Sequence, residues 1–171
     1  LDLDARLWTD NARENFYGGD RVAYQAAVLA QYSTYVEMAD RISQRRGLTN
    51  TFFLTLNTAI FTAIGVFWQK QPTGPAWWLL FPLAMLIGEC FAWFYILRSY
   101  RLLNTAKYEV VGALEARLPV SPYWRAEWTA LGEGKDWKKY WPLSHIESWI
   151  PVFFAALYLG GFVAVWLTPG S

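Results

Sequence analysis

The sequence predicts an all-α integral membrane protein with three transmembrane helices and further helices on the cytoplasmic side. Three observations predict it: long stretches almost free of charge, Trp and Tyr gathered at their ends, and all but one of the Lys and Arg on one side of them. No charged residue lies between Arg46 and Lys70, only Glu89 lies between Lys70 and Arg98, and none follows Glu147. Each interval holds an apolar run of about 20 residues, the length a helix needs to cross roughly 30 Å of hydrocarbon. The predicted spans are residues 48–68, 76–97 and 148–168. A soluble alternative would need three unusually long helices, apolar on every face.

Aromatic residues make up 19% of the 171-residue chain. Mean hydropathy is only +0.12, so a substantial polar portion belongs outside the bilayer. Trp68, Trp77, Trp78 and Trp166 fit one membrane–water boundary, and Trp93, Tyr95, Tyr140, Trp141 and Trp149 the other. Of fifteen Lys and Arg, fourteen precede the first span or fall between the second and third; Lys70 alone is in the first hairpin. The positive-inside bias then expects the N-terminus and residues 98–147 to be cytoplasmic and the C-terminus outside. Leu1 to Asp20 has no continuous apolar run of the kind a signal peptide requires.

Taken in order, Asp20 after Gly18-Gly19 is a reasonable N-cap for a helix over residues 20–46. Val22, Leu29, Tyr32, Val36 and Ala39 make its apolar stripe, with Glu37 and Arg41 paired on another face. A cover for that stripe must come from residues 98–147 or from another subunit. Gly47 either breaks this helix at the membrane or sits within one continuous rod. After the second span the helix is expected to continue to about Leu118, where Pro119 stops it. In "SPYWRAEWTALGEG", Ser121 suits the N-cap, Pro122 the first helical position and Gly132 the C-terminal cap. Ser144-His145-Ile146-Glu147 has the form of a capping box that launches the third span, with Pro151 in its first turns. No Gly-rich linker divides the chain, so it is expected to form one unit with membrane and cytoplasmic layers.

The first span raises the functional question. Thr51, Thr55, Thr58 and Thr62 recur at helical spacing along one face, flanked by Asn50 and Asn57. Such a stripe can pack tightly against a neighbouring helix with hydrogen bonds across the contact, line an aqueous path, or bond back to its own carbonyls. Asparagine in lipid leaves more donors and acceptors to satisfy than threonine does. Glu89 lies about 12 Å of helix from the cytoplasmic end of the second span. An intramembrane acid is costly to insert, by about 2–3 kcal/mol on translocon scales. It is therefore either satisfied by Thr or Asn of the first span or used for an ion, proton or ligand.

Other chemistry is poorly supported. Cys90 is the only cysteine and His145 the only histidine, so no intramolecular disulfide, catalytic dyad or zinc site is expected, nor any cofactor. His145 and Glu147, two residues apart on a helix, do not face each other. "GEGKDWKK" lacks the spacing of a phosphate-binding loop; Lys135, Lys138 and Lys139, with Trp141, suit anionic lipid headgroups. The charge pattern offers no nucleic-acid stripe.

"YVEMADRISQRRGLTNTFFLTLNTAI" and "LEARLPVSPYWRAEWTALGEGKDWKKYWPLSHIESWIPVFFAALY" resemble a family of small bacterial integral membrane proteins of largely unassigned function. The layout, a cytoplasmic helix running into a membrane hairpin, also resembles two-transmembrane effectors of bacterial nucleotide-signalling conflict systems, from which the third span departs. The expected function is a non-enzymatic membrane protein that assembles as a homo-oligomer or as an accessory subunit of a larger membrane complex. The alternative is a pore-forming or membrane-perturbing effector with its path past Glu89.

Overall fold

The computed structural model describes residues 3–9, 14–68, 76–136, 138–140 and 142–167. Lys70, Trp141, Thr168 and the hairpin joining the first two spans lie outside the described residues, as do the side chains of Trp68, Trp78 and Ser144. Every regular element among the described residues is helical: α1 (Leu3–Leu7), α2 (Arg21–Trp68), α3 (Leu80–Glu115), α4 (Trp128–Ala130) and α5 (Leu143–Leu167), with short 3₁₀ and π turns between them. Three of these helices are long and apolar enough to cross a membrane, within Arg21–Phe67, Leu80–Glu115 and His145–Leu167. The fold is that of an all-α membrane protein.

Helix α2 starts where Asp20 Oδ1 accepts from the backbone N–H groups of Val22 and Ala23, at 2.8 and 3.1 Å. This N-cap satisfies two donors that the first turn leaves without intrahelical partners. The helix then runs through Gly47 without a break. Chain contacts divide the molecule into two compact units. One comprises Leu1–Gln44 with Arg101–Pro142, the other Arg45–Tyr100 with Leu143–Ser171.

In the first unit, α2 and α3 are antiparallel: Asn104 reaches Ser43, Lys107 lies over the Tyr35 ring, and Tyr32 donates to Glu115. Val28, Ala39, Val111 and Leu114 are buried between them. The inner face of α2 therefore reads Val28, Tyr32, Tyr35, Ala39, alternating steps of four and three. The expected stripe splits at this point. Tyr32 and Ala39 face inward, whereas Val22 is 75% exposed, Leu29 53% and Val36 39%. Tyrosines win the inner face because each buries a larger ring and also carries a hydroxyl that finds a polar partner.

Helix α3 ends at Glu115 rather than near Leu118. Beyond it the chain tightens into i→i+3 turns, Arg117 N–H to Leu114 O and Leu118 N–H to Glu115 O, both 3.1 Å. Residues before a proline avoid the α-helical region, which favours this early end. Gly132 adopts φ +73° two residues past α4, as a C-terminal cap requires. Glu133 and Gly134 follow at φ +54° and +69°, so "GEG" is a left-handed turn and not a phosphate cradle.

In the second unit three helices meet. Residues along α2 pair antiparallel with α3 (Phe53 with Trp93, Asn57 with Glu89) and parallel with α5 (Arg46 with Glu147, Asn57 with Tyr158). Trp93, placed by its sequence position at a membrane boundary, is instead fully buried. It stacks on Phe53 at 5.5 Å between ring centroids and lies 6.1 Å from Phe154, so aromatic packing across three helices holds it in the core. Trp77, Tyr95, Trp149 and Trp166 are exposed, as interfacial anchors would be. Helix α5 begins at Leu143, one residue before the expected cap, and Glu147 lies against Arg46 on α2. Pro151 is buried within α5 and leaves the Glu147 carbonyl without its usual i+4 donor.

Candidate functional site

A fully buried carboxamide, Asn57, organises the second unit. Its Nδ2 donates to Phe53 O one turn back (2.9 Å) and to Glu89 Oε1 on α3 (2.8 Å). Its Oδ1 accepts from the Tyr158 hydroxyl on α5 at 2.8 Å, with Cys90 Sγ at 3.9 Å. The partners fix which way the amide points: the Phe53 carbonyl can only accept, so the NH₂ must face it. One residue thus ties three helices together through its carboxamide, which is how polar side chains join helices in a medium that supplies no water.

Aromatic rings form one side of this cluster, through the Phe53–Trp93 stack and the Trp93–Phe154 contact. On the other side an apolar cavity of about 690 Å³ opens among Ile60, Phe61, Leu83, Leu86, Tyr158 and Gly161. Tyr158 belongs to both. Two buried polar atoms nearby lack a hydrogen-bond partner: Trp93 Nε1 and Asn50 Oδ1. Arg46 and Glu147, both mostly buried, approach to 3.1 Å.

Of the polar residues predicted for this region, the structure brings together Asn57 and Glu89. Asn50 is half-buried and stands apart from their cluster in its hydrogen bonding. Thr51, Thr55, Thr58 and Thr62 are exposed on the protomer. Thr58 bonds back to Leu54 O at 2.8 Å and Thr62 to Thr58 O at 2.9 Å. Tyr158 and Cys90 complete the cluster and were not singled out from sequence. Tyr158 carried a signal, since a lone phenol inside a charge-free span needs a partner for its hydroxyl. Arg46 and Glu147 carried another, each being the last charge before a charge-free stretch.

The first unit has its own buried polar centre. Glu115 is 1% exposed and accepts from four donors: Ser121 Oγ (2.7 Å), Trp124 N–H (2.8 Å), Tyr32 Oη (3.0 Å) and Tyr123 N–H (3.1 Å). Burial alone would raise its pKa, but these bonds to the charged form outweigh it and hold the carboxyl below its ordinary value. Tyr32 is pushed up to about 12, first by burial and then by its bond to Glu115.

The same bonds explain the next turn. Glu115 takes the first two available N–H groups and Ser121 Oγ accepts from Arg125 N–H at 3.2 Å. The Ser121 carbonyl therefore finds its donor only at Ala126, five residues on, and Pro122–Glu127 form a π turn. This turn seats the Trp124 ring on Gly112, where an added Cβ would lie 2.8 Å from ring atoms. Lys135, Lys138 and Lys139 are exposed, and Lys135 Nζ pairs with Glu133 at 2.7 Å. Among the described residues no group of three or more His, Cys, Asp or Glu is placed to hold a metal ion.

Comparison with curated proteins and with solved structures returned no match. A family model, described as Octameric membrane protein family (8xMP), matches residues 29–167, which include α3, α5, the Asn57 cluster and Glu115. By that match over most of its length, this chain belongs to the octameric membrane protein family.

Proposed function

We propose that the protein is a non-enzymatic subunit of a homo-octameric assembly in the bacterial inner membrane, with the Thr51–Thr55–Thr58–Thr62 face of α2 packed against neighbouring copies. The observation that carries this reading is the division of labour on α2. Asn57 spends its hydrogen bonds inside the protomer, whereas all four threonines lie exposed in a chain whose family is described as octameric. Threonines of this kind permit close helix approach in lipid and can add hydrogen bonds across the contact. Membrane lipid covers the remaining apolar surface of the charge-free spans, and Lys135, Lys138 and Lys139 meet its anionic headgroups. The N-terminus and the lysines are cytoplasmic and the C-terminus outside, on the distribution of Lys and Arg.

A second reading, a pore along the ring axis, draws on the same exposed hydroxyl face. Glu89 supports it less, because its carboxyl is bonded to Asn57 within the protomer. The two readings separate on Thr55→Leu and Glu89→Gln. Native mass spectrometry of detergent-solubilised protein is expected to give an octamer for the wild type and smaller species for Thr55→Leu, with no ion flux into vesicles from either. Flux through the wild type that disappears in either variant would replace the scaffold with the pore. A monomeric wild type would end both readings.

A further inference from the structure

We infer that Val22, Leu29 and Val36 on α2 form a docking seam for a second copy of this chain, outside the charge-free stretches. The inference rests on the octameric reading and names a surface that reading leaves open. The three residues are spaced seven apart, so they fall on one side of α2 along about 21 Å of helix. They are 75%, 53% and 39% exposed, and Ala26 and Ser33 between them are small and exposed as well.

Lipid explains apolar exposure within the charge-free spans but not at these positions. Arg41, Arg45 and Arg46 lie between the seam and the first charge-free stretch, and charged residues flank the seam at Arg21, Glu37 and Asp40. Apolar side chains aligned in water mark a protein contact. The first unit's own helices do not supply the cover, since α3 meets the other face of α2, at Val28, Tyr32, Tyr35 and Ala39. A second copy is the occupant because the family is described as octameric, and an assembly of eight copies needs faces on each copy that meet its neighbours. The narrow apolar line, small between its large residues, is what a helix-to-helix contact uses. Val120 and Trp124 are a second exposed apolar pair in this unit and provide a candidate counter-face.

The test uses the full chain in detergent. Leu29→Cys in a Cys90→Ser background, labelled with benzophenone maleimide and irradiated, is expected to give covalent multimers of the chain. Leu29→Glu with Val36→Glu is expected to weaken the octamer by about tenfold or more in native mass spectrometry. Limited proteolysis of the glutamate variant checks that the first unit remains folded. An octamer unchanged in that variant, or irradiation that yields only monomer from octameric protein, overturns the seam and leaves the octameric reading standing. A wild type without octamers overturns both.

Discussion

The two units solve the same problem with different chemistry. Each buries one polar side chain that organises its helices, but Glu115 is an acid held by four donors while Asn57 is a neutral amide held by an acid, a phenol and its own helix. Two of the donors to Glu115 are backbone N–H groups freed at the start of a turn, where the helix dipole also favours negative charge. Within a membrane helix such groups are already spent on the helix, so Asn57 must draw on side chains of two other helices. Four donors, two of them backbone N–H groups, suit a charge at Glu115; satisfaction by side chains across lipid-embedded helices favours a neutral amide as the hub. Buried atoms without a partner occur in both units, Asn104 Oδ1 in the first and Trp93 Nε1 and Asn50 Oδ1 in the second, whereas Glu115 uses both its oxygens.

The largest effect is expected where the charge sits. Glu115→Ala leaves two part-buried N–H groups and two hydroxyls without their acceptor, at about 1–3 kcal/mol for each that water does not reach. A loss of about 3 kcal/mol or more is expected, read as rapid proteolytic cleavage within residues 116–142 while the spans stay protected. A variant as protease-resistant as the wild type would remove Glu115 from its central place.

Acid should mimic that substitution. The folded pKa of Glu115 lies below its unfolded value, so the folded form binds its proton less readily than the unfolded chain does. The stabilisation is present above the ordinary carboxyl pKa and is lost as pH falls through the lower, folded value. Cleavage between residues 116 and 142 is expected to accelerate in that acidic window with an acid-active protease, and the wild type and Glu115→Ala to converge there. Protection that instead falls as pH rises through neutrality would give the charge the wrong sign.

Gly112→Ala probes the same centre from its far side. The new methyl would sit 2.8 Å from two atoms of the Trp124 indole, at the root of the ring rather than its tip, so the ring cannot step aside cheaply. Overpacking of this kind costs about 1–3 kcal/mol. A red-shifted tryptophan emission and faster proteolysis are the expected readouts; an unchanged spectrum and proteolysis would mean the contact is loose.

Asn57→Leu is expected to cost less, about 1–2 kcal/mol, because hydrogen bonds between membrane helices contribute modestly and freed partners find others. Thermal unfolding in detergent would show it. Should it exceed the Glu115→Ala loss, the ranking of the two centres would reverse.

Much of this fold was legible in the sequence, because charge-free length and capping residues act locally. The spans, Asp20, Ser121-Pro122 and Gly132 all follow from rules that reach across only a few residues. Contacts between distant segments were not legible. Periodicity gave the first part of α2 one apolar stripe, and the Tyr32–Glu115 bond, 83 residues apart in sequence, shows which part of it turns inward. Trp93 fits a membrane boundary by position but is drawn into the core by Phe53 and Phe154 from the two neighbouring helices. For the candidate site, Asn57 and Glu89 stood out because lipid makes polar groups expensive. Tyr158 did not, since a phenol is tolerated at the interface and in the core alike.

The smallest effect is expected from Thr58→Val, and its smallness is informative. The hydroxyl bonds to the Leu54 carbonyl of its own helix, which already carries a helical bond, and the side chain is exposed on the protomer. Valine keeps the shape and removes only that bond, so the protomer should change by a few tenths of a kcal/mol, below the ~0.6 kcal/mol average for an interhelical hydrogen bond. Octamer stability is the discriminating measurement. If the methyl groups of the stripe do the packing, Thr58→Val assembles like the wild type and Thr58→Leu, which adds bulk, does not. If Thr58→Val loses the octamer, the hydroxyl must leave Leu54 to bond across copies. The second unit would then use side-chain hydrogen bonds between protomers as it does within them.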